Sequence, residues 1–148
     1  MYTHHHIYEN LNYSLRYHSD KLDKDQIIYI RLLNNALNKL ESMNNLTIYR
    51  DIRNPDDGVE KWLDYYEEEI GTVIKYKDFL SCHTDNVKIS DNETDYQFVI
   101  KTSNNSNAKD TQKITLIQIE NEVLFKNKTN FLIEKVDRKT NQVFIREI

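Results

Sequence analysis

The stretch 120–136, ENEVLFKNKTNFLIEKV, decides how this chain folds. It holds two apolar runs, Glu122 to Phe125 and Asn130 to Val136, separated by a charged turn that contains Asn. Short runs rich in Val, Leu, Ile and Phe between such turns read as strands. Working outward, Gln142 to Ile148 predicts a further strand on the C-terminal side. On the N-terminal side, Ile114, Tyr96 to Thr102, Phe79 to Ser81 and Thr72 to Tyr76 predict others. Ser103 to Asp110 is rich in Asn and Ser and has no apolar residue except Ala108, so it reads as a loop.

Nearer the N-terminus the period changes from strand to helix. Ile7, Leu11 and Leu15 lie four apart and predict a short amphipathic helix over Ile7 to Arg16, with Tyr17 to Asp23 as a polar connector. Tyr29, Leu32, Leu33, Ala36, Leu37 and Leu40 form one apolar stripe, widened by Ile28. Asp25 sits where a carboxylate favours the positive end of that helix, and Asn44 and Asn45 suit the turn after it. Leu46 to Arg50 reads as a strand, and Asn54 to Gly58 as a turn. Val59, Trp62, Leu63, Tyr66 and Ile70 then share one helical face, with Gly71 placed to cap it. Tyr65 points elsewhere, and Glu67 to Glu69 read as a solvated face. Helices first and antiparallel-looking strands later predict an α+β fold, not an alternating α/β one.

Composition excludes several classes. A chain of 148 residues predicts a single domain over 1–148, long enough to bury a core without staples. Only 2 Gly and 1 Pro occur, which removes collagen-like and Pro/Gly-rich disordered chains. The single Cys excludes an internal disulfide and a Cys-based zinc knuckle. A net charge of -4 removes the usual electrostatic support for sequence-independent nucleic-acid binding. No apolar run approaches the roughly 20 residues that span a bilayer, so no membrane partner is expected. Met1 to Asn10 lacks the basic-then-apolar pattern of a secretory signal. His4, His5 and His6 lack the converging geometry of a metal site, and no metal is expected. Cys82 and His83 are neighbours on a predicted strand and so point to opposite faces, which argues against a thiol–imidazole nucleophile.

Three segments carry the chemistry. They are Tyr49-Arg50 at a strand end, Phe79-Leu80-Ser81 at another, and Glu120-Asn121-Glu122 running into Val123-Leu124-Phe125. A planar guanidinium pairs with phosphate oxygens bidentately. Two acids at i and i+2 on an extended segment face one side, about 6–7 Å apart.

With these segments in this order, the sequence resembles the mono-ADP-ribosyltransferase family, in its Arg-Ser-Glu class. The resemblance extends to Asn12-Tyr13-Ser14-Leu15-Arg16, Thr47-Ile48-Tyr49-Arg50, Thr129-Asn130-Phe131 and the final strand Phe144 to Ile148. It implies a split antiparallel β-sandwich of two packed sheets after N-terminal helices. It implies NAD⁺ as substrate, with Arg50 on the diphosphate and Arg16 and Asn12 as lesser contacts there. Glu122 would stabilise the charge that develops on the ribose, with Ser81 holding Glu122 by a hydrogen bond. Glu120 would meet the acceptor, and a Glu at this position goes with arginine acceptors. The implied reaction is transfer of ADP-ribose from NAD⁺ to an arginine of a target protein, with release of nicotinamide. The alternatives are a nucleic-acid acceptor or NAD⁺ hydrolysis on the same fold, and a non-catalytic binding module. The resemblance also implies a toxin or effector delivered into another cell, with a cognate inhibitor protein. Three positions depart from the family pattern: Asp51 stands in place of Gly, and Cys82 and His83 in place of Thr and Ser. In the family the backbone at position 51 touches nicotinamide. Leu116 to Ile119 is apolar where the family has a more polar recognition loop.

Overall fold

The computed structural model of the chain describes residues 4–85, 94–111 and 123–148. Helix α1 covers His4–Tyr17 and α2 covers Lys24–Asn38. Asp23 and Gln26 close α2 with a reciprocal capping box: the Gln26 N–H donates to Asp23 Oδ1 at 2.8 Å and the Asp23 N–H to Gln26 Oε1 at 3.1 Å. Asp25 lies in the first turn, as expected. The buried stripe of α2 is narrower than the sequence predicts. Leu33 and Leu37 are buried, with Tyr29, Ile30 and Leu40 packed beside them, whereas Leu32 is 61% exposed and Ile28 is also exposed. The run from Ile27 to Leu33 is apolar on several sides of the helix, and only the side towards α1 and the small sheet finds cover.

Strand β1 runs Thr47–Ile52, two residues past Arg50. In the turn that follows, Asn54 (φ 42°) and Gly58 (φ 81°) take left-handed backbone, the conformation Asn and Gly tolerate best. Helix α3, Val59–Glu68, buries Val59, Leu63 and Tyr66. Ile70 falls in the turn beyond the helix and is exposed, so it does not extend the buried face. Gly71 (φ 90°) turns the chain and its N–H donates to Ile133 O at 2.8 Å.

The remaining strands are β2 (Val73–Tyr76), β3 (Leu80–Cys82), β4 (Tyr96–Lys101), β5 (Ala108–Asp110), β6 (Val123–Phe125), β7 (Thr129–Asp137) and β8 (Gln142–Glu147). The segment expected to be a loop therefore ends in a strand, β5. The strand expected at Ile114 lies outside the described residues. Among the described residues one sheet has the order β1-β4-β8-β7-β2 and the other β3-β6-β5. The α+β arrangement of N-terminal helices and two sheets is present, with one refinement: β4 and β8 pair in parallel, while the other strand pairings described are antiparallel.

Two cores follow from the layering. Ile48, Leu63, Phe98, Phe125, Phe131, Ile133 and Ile145 meet between α3 and the two sheets. Leu11, Leu15, Leu33 and Leu37 of the helices cover Phe79 and Leu124. Val123 and Phe125 thus belong to one core and Leu124 to the other. That is why the Val-Leu-Phe run is continuously apolar: β6 is covered on both faces.

A buried carboxylate ties the two sheets together at one end. Glu147, on β8, is 4% exposed and accepts from Ser106 Oγ at 2.6 Å, the Asn107 N–H at 2.7 Å and the Ser103 N–H at 3.0 Å. Ser106 Oγ in turn accepts from the Ala108 N–H at 2.9 Å, the first residue of β5. The Asn/Ser-rich segment is polar because its groups wrap this acid. No helix among the described residues is long and apolar enough to cross a membrane.

Candidate active site

The two sheets touch where β1 meets the end of β3. Tyr49 and His83 exchange two backbone hydrogen bonds, each 2.8 Å. At the next residue, Arg50 Nη1 donates to Ser81 O at 2.8 Å. Arg50 and Ser81, 31 positions apart in the sequence, are therefore in direct contact. Ser81 pairs with Leu124 across the β3–β6 ladder, and Cys82 pairs with Val123. Glu120 and Glu122 lie outside the described residues, as does the apolar segment Leu116 to Ile119.

Helix α1 grips the approach to β3. Asn12 and Arg16 are four apart and so share a helix face. The Asn12 side chain bonds both main-chain groups of Phe79: Nδ2 donates to its carbonyl at 3.2 Å, and Oδ1 accepts from its N–H at 3.0 Å. Arg16 pairs with Asp78, whose carboxylate is 2% exposed. Both side chains expected near the diphosphate are thus engaged with the segment that leads to Ser81. Half of Arg16 still faces solvent. Asp78 was invisible as a site residue in the sequence, because its partner lies 62 positions away.

Two environments flank Arg50. On one side is a tyrosine cluster, in which Tyr66 is hydrogen-bonded to both Tyr76 and Tyr96. Burial pushes all three phenols up, and the Arg50 charge pulls them the other way, which places the guanidinium close to them. Burial also pushes the Cys82 thiol up, to about 12, with Arg50 opposing. Such a thiol is neutral at physiological pH and a poor nucleophile. A cavity of about 610 Å³ between α3 and β2, lined in part by Trp62, Tyr65, Tyr66 and Tyr76, reaches the same cluster from outside.

On the other side, Asp51 is held by a chain of polar groups. Its Oδ1 accepts from Gln97 Nε2 at 2.9 Å, and Gln97 Oε1 accepts from Gln142 Nε2 at 2.9 Å. Its Oδ2 lies 3.3 Å from His83 Nε2 and 3.6 Å from an Arg53 nitrogen. Two of the three departures from the family pattern, Asp51 and His83, therefore touch each other. Gln97 is fully buried and carried no signal in the sequence, where it is one polar position in an apolar strand. Among the described residues no group of three or more His, Cys, Asp or Glu side chains is placed to hold a metal ion.

The family model described as ADP-ribosyltransferase exoenzyme matches residues 1–146, and the chain belongs to that family, with NAD⁺ as its substrate. Solved structures of the same fold include Plx2a, an ADP-ribosyltransferase toxin from Paenibacillus larvae. It is 19% identical with a TM-score of 0.73, over 95% of this chain and 79% of that one. The C3 exoenzyme of Clostridium limosum is 15% identical with a TM-score of 0.68, over 93% of this chain and 76% of that one. The ADP-ribosyltransferase Vis, of Vibrio splendidus, solved in complex with agmatine, is 25% identical with a TM-score of 0.62, over 95% of this chain and 66% of that one. No curated protein matches the chain closely enough to count as a relative.

Proposed function

We propose that residues 1–148 act as one unit that transfers ADP-ribose from NAD⁺ to an arginine of a target protein, releasing nicotinamide. The observation that carries this reading is the 2.8 Å hydrogen bond from Arg50 to the Ser81 carbonyl. It sets a phosphate-binding type of side chain against the strand paired with Leu124, two residues after Glu122. In this reading Arg50 takes the diphosphate, with Arg16 at its edge. As the nicotinamide–ribose bond breaks, positive charge builds on the ribose, and the Glu122 carboxylate stabilises it. Ser81 holds that carboxylate in place. Glu120 orients the acceptor guanidinium and takes up its proton as nitrogen attacks.

Arginine as acceptor is supported by the acid at position 120. It is also supported by the Vis structure, which holds agmatine, itself a guanidinium compound. The experiment is incubation with labelled NAD⁺ and a cell lysate, followed by nicotinamide release and by identification of the labelled residue. Removing one electrostatic contact of this kind costs on the order of 10²–10³ in rate. Glu122→Gln is expected to lose both nicotinamide release and labelling by such a factor. Glu120→Gln is expected to keep slow NAD⁺ hydrolysis and lose labelling. Full turnover by Glu122→Gln overturns the assignment of roles, and label on a residue other than arginine overturns the acceptor.

A further inference from the structure

We propose that the open edge of β2 receives an extended, acidic segment of a partner protein as an added strand, its alternate side chains entering the cavities on either side. The proposal draws nothing from the roles given above to Glu120 and Glu122. It starts from the strand order. β2 ends the five-stranded sheet, and among the described residues β7 is its only partner strand. An unpaired edge is a template for another strand, and one established mode of peptide recognition uses it.

The main-chain groups on that edge can be assigned. Residues of an antiparallel pair exchange hydrogen bonds only at every second position. The Ile133 N–H donates to Thr72 O at 3.0 Å, so that position is a bonded one. Lys75 stands opposite Asn130, whose carbonyl instead accepts from the Ile148 N–H at 3.1 Å, on the β8 side. The alternation therefore turns the N–H and C=O of Lys75, and of Val73 two residues earlier, away from β7. Val73 is 52% exposed and Lys75 is exposed too, whereas Ile74 and Tyr76 pack against the main core.

A strand laid on this edge sends its side chains alternately to the two faces of the sheet. Each face offers a cavity. The one of about 610 Å³ lies on the α3 face, with Ile74 and Tyr76 of β2 and Trp62, Tyr65 and Tyr66 of α3 in its wall. A second, of about 440 Å³, lies on the other face, lined in part by Lys75, Lys77, Leu15, Leu22, Ile27 and Ile30. Lys75 lines both, so the edge runs between them.

Charge chooses the occupant. The chain carries -4 overall, yet among the described residues Lys61, Lys75, Lys77 and Lys128 line the two cavities against a single acid, Asp57. A second copy of β2 would bring lysine beside lysine, which is unfavourable. A segment alternating carboxylates with bulky apolar side chains suits both faces. Its carboxylates meet Lys75 and Lys77, and its aromatic side chains meet Trp62 and Tyr65.

The test is fluorescence anisotropy of a labelled synthetic peptide, Glu alternating with Val and Phe, titrated with the full chain. Two N-methylated forms of the peptide, one for each set of alternate residues, separate the edge from the cavities. The form methylated on the N–H groups that face β2 is expected to lose binding, and the other to stay within about twofold of the unmodified peptide. Val73→Pro removes one outward N–H from an edge strand, where Pro is tolerated, and is expected to weaken binding about 3–10-fold. Lys75→Glu with Lys77→Glu is expected to weaken it about tenfold and to flatten its dependence on salt. Thermal melts check that the variants fold, and the methylated peptides decide the matter on the parent chain if they do not. No binding by the parent overturns the proposal, and so does equal binding of the two methylated forms or parent-like binding after the lysine reversals. A dimer in sedimentation that Val73→Pro dissociates assigns the edge to a second copy and also overturns it. Nicotinamide release from NAD⁺ is expected to be unchanged in all these variants. Failure here therefore leaves the proposed transferase roles standing, and loss of those roles leaves the peptide result standing.

Discussion

Replacing Glu147 by Gln tests the account of how the two sheets are joined. The carboxylate accepts three hydrogen bonds, from Ser106 Oγ, the Asn107 N–H and the Ser103 N–H, at 2.6 to 3.0 Å. Hydrogen bonds to a charged group contribute about 1.5–3 kcal/mol each. In Glu147→Gln the remaining oxygen can keep the two donors on Oε1. The new NH₂ then faces the Asn107 N–H, donor against donor. One charge-assisted bond is lost and two become neutral, so the expected loss is about 3–4 kcal/mol, by the same reasoning. The assay is urea unfolding followed by the fluorescence of Trp62, which stacks on Tyr66 within the α3 layer. With a slope of about 2 kcal/mol/M, the midpoint is expected to fall by about 1.5–2 M with the slope unchanged. Ser106→Ala removes a single donor and is expected to cost about half as much, from the same range. A midpoint shift below about 0.3 M in Glu147→Gln, under 1 kcal/mol at that slope, refutes the claim that this acid clamps the loop.

Two further outcomes follow from the site. Cys82 is expected to resist an aromatic disulfide reagent at pH 8 in the folded chain and to react once urea unfolds it, since burial pushes its thiol up to about 12. The sign for stability follows: the unfolded thiol loses its proton first, so folding weakens as pH rises from about 9 towards 12, and rapid stoichiometric labelling of the native chain contradicts this. Asn12→Ala removes two hydrogen bonds to the Phe79 main chain and is expected to cost about 1–3 kcal/mol in urea unfolding. Unchanged stability with weakened NAD⁺ binding shows instead that Asn12 serves the substrate and not the docking of α1.

What the sequence shows about this protein is mostly local. The turn at Asn54 to Gly58 announces itself, because left-handed backbone selects Asn and Gly. The Val-Leu-Phe run of β6 reads as a strand, though not as one covered on both faces. The exposed Leu32 and Ile28 could not be told from buried neighbours, since α2 is apolar over several faces and distant elements choose which one is covered. The parallel pairing of β4 with β8 depends on partners 45 positions apart, for example Gln97 and Gln142, and leaves no local trace. Within the site, Arg50 and Ser81 stood out by their place in motifs. Asp78, Gln97 and Glu147 did not, because a buried polar group is recognised by what it bonds, and those partners are 40 to 62 positions away.

The strand order has a consequence for the newborn chain. β8 is the middle strand of its sheet, yet it is made after every other element described. Until residues 142–147 arrive, this sheet consists of two separate ribbons, β1 with β4 and β2 with β7, whose facing edges wait for a common neighbour. Two-stranded ribbons are marginal alone. The five-stranded sheet that carries Arg50 on β1 therefore closes late and all at once, when its central strand is added.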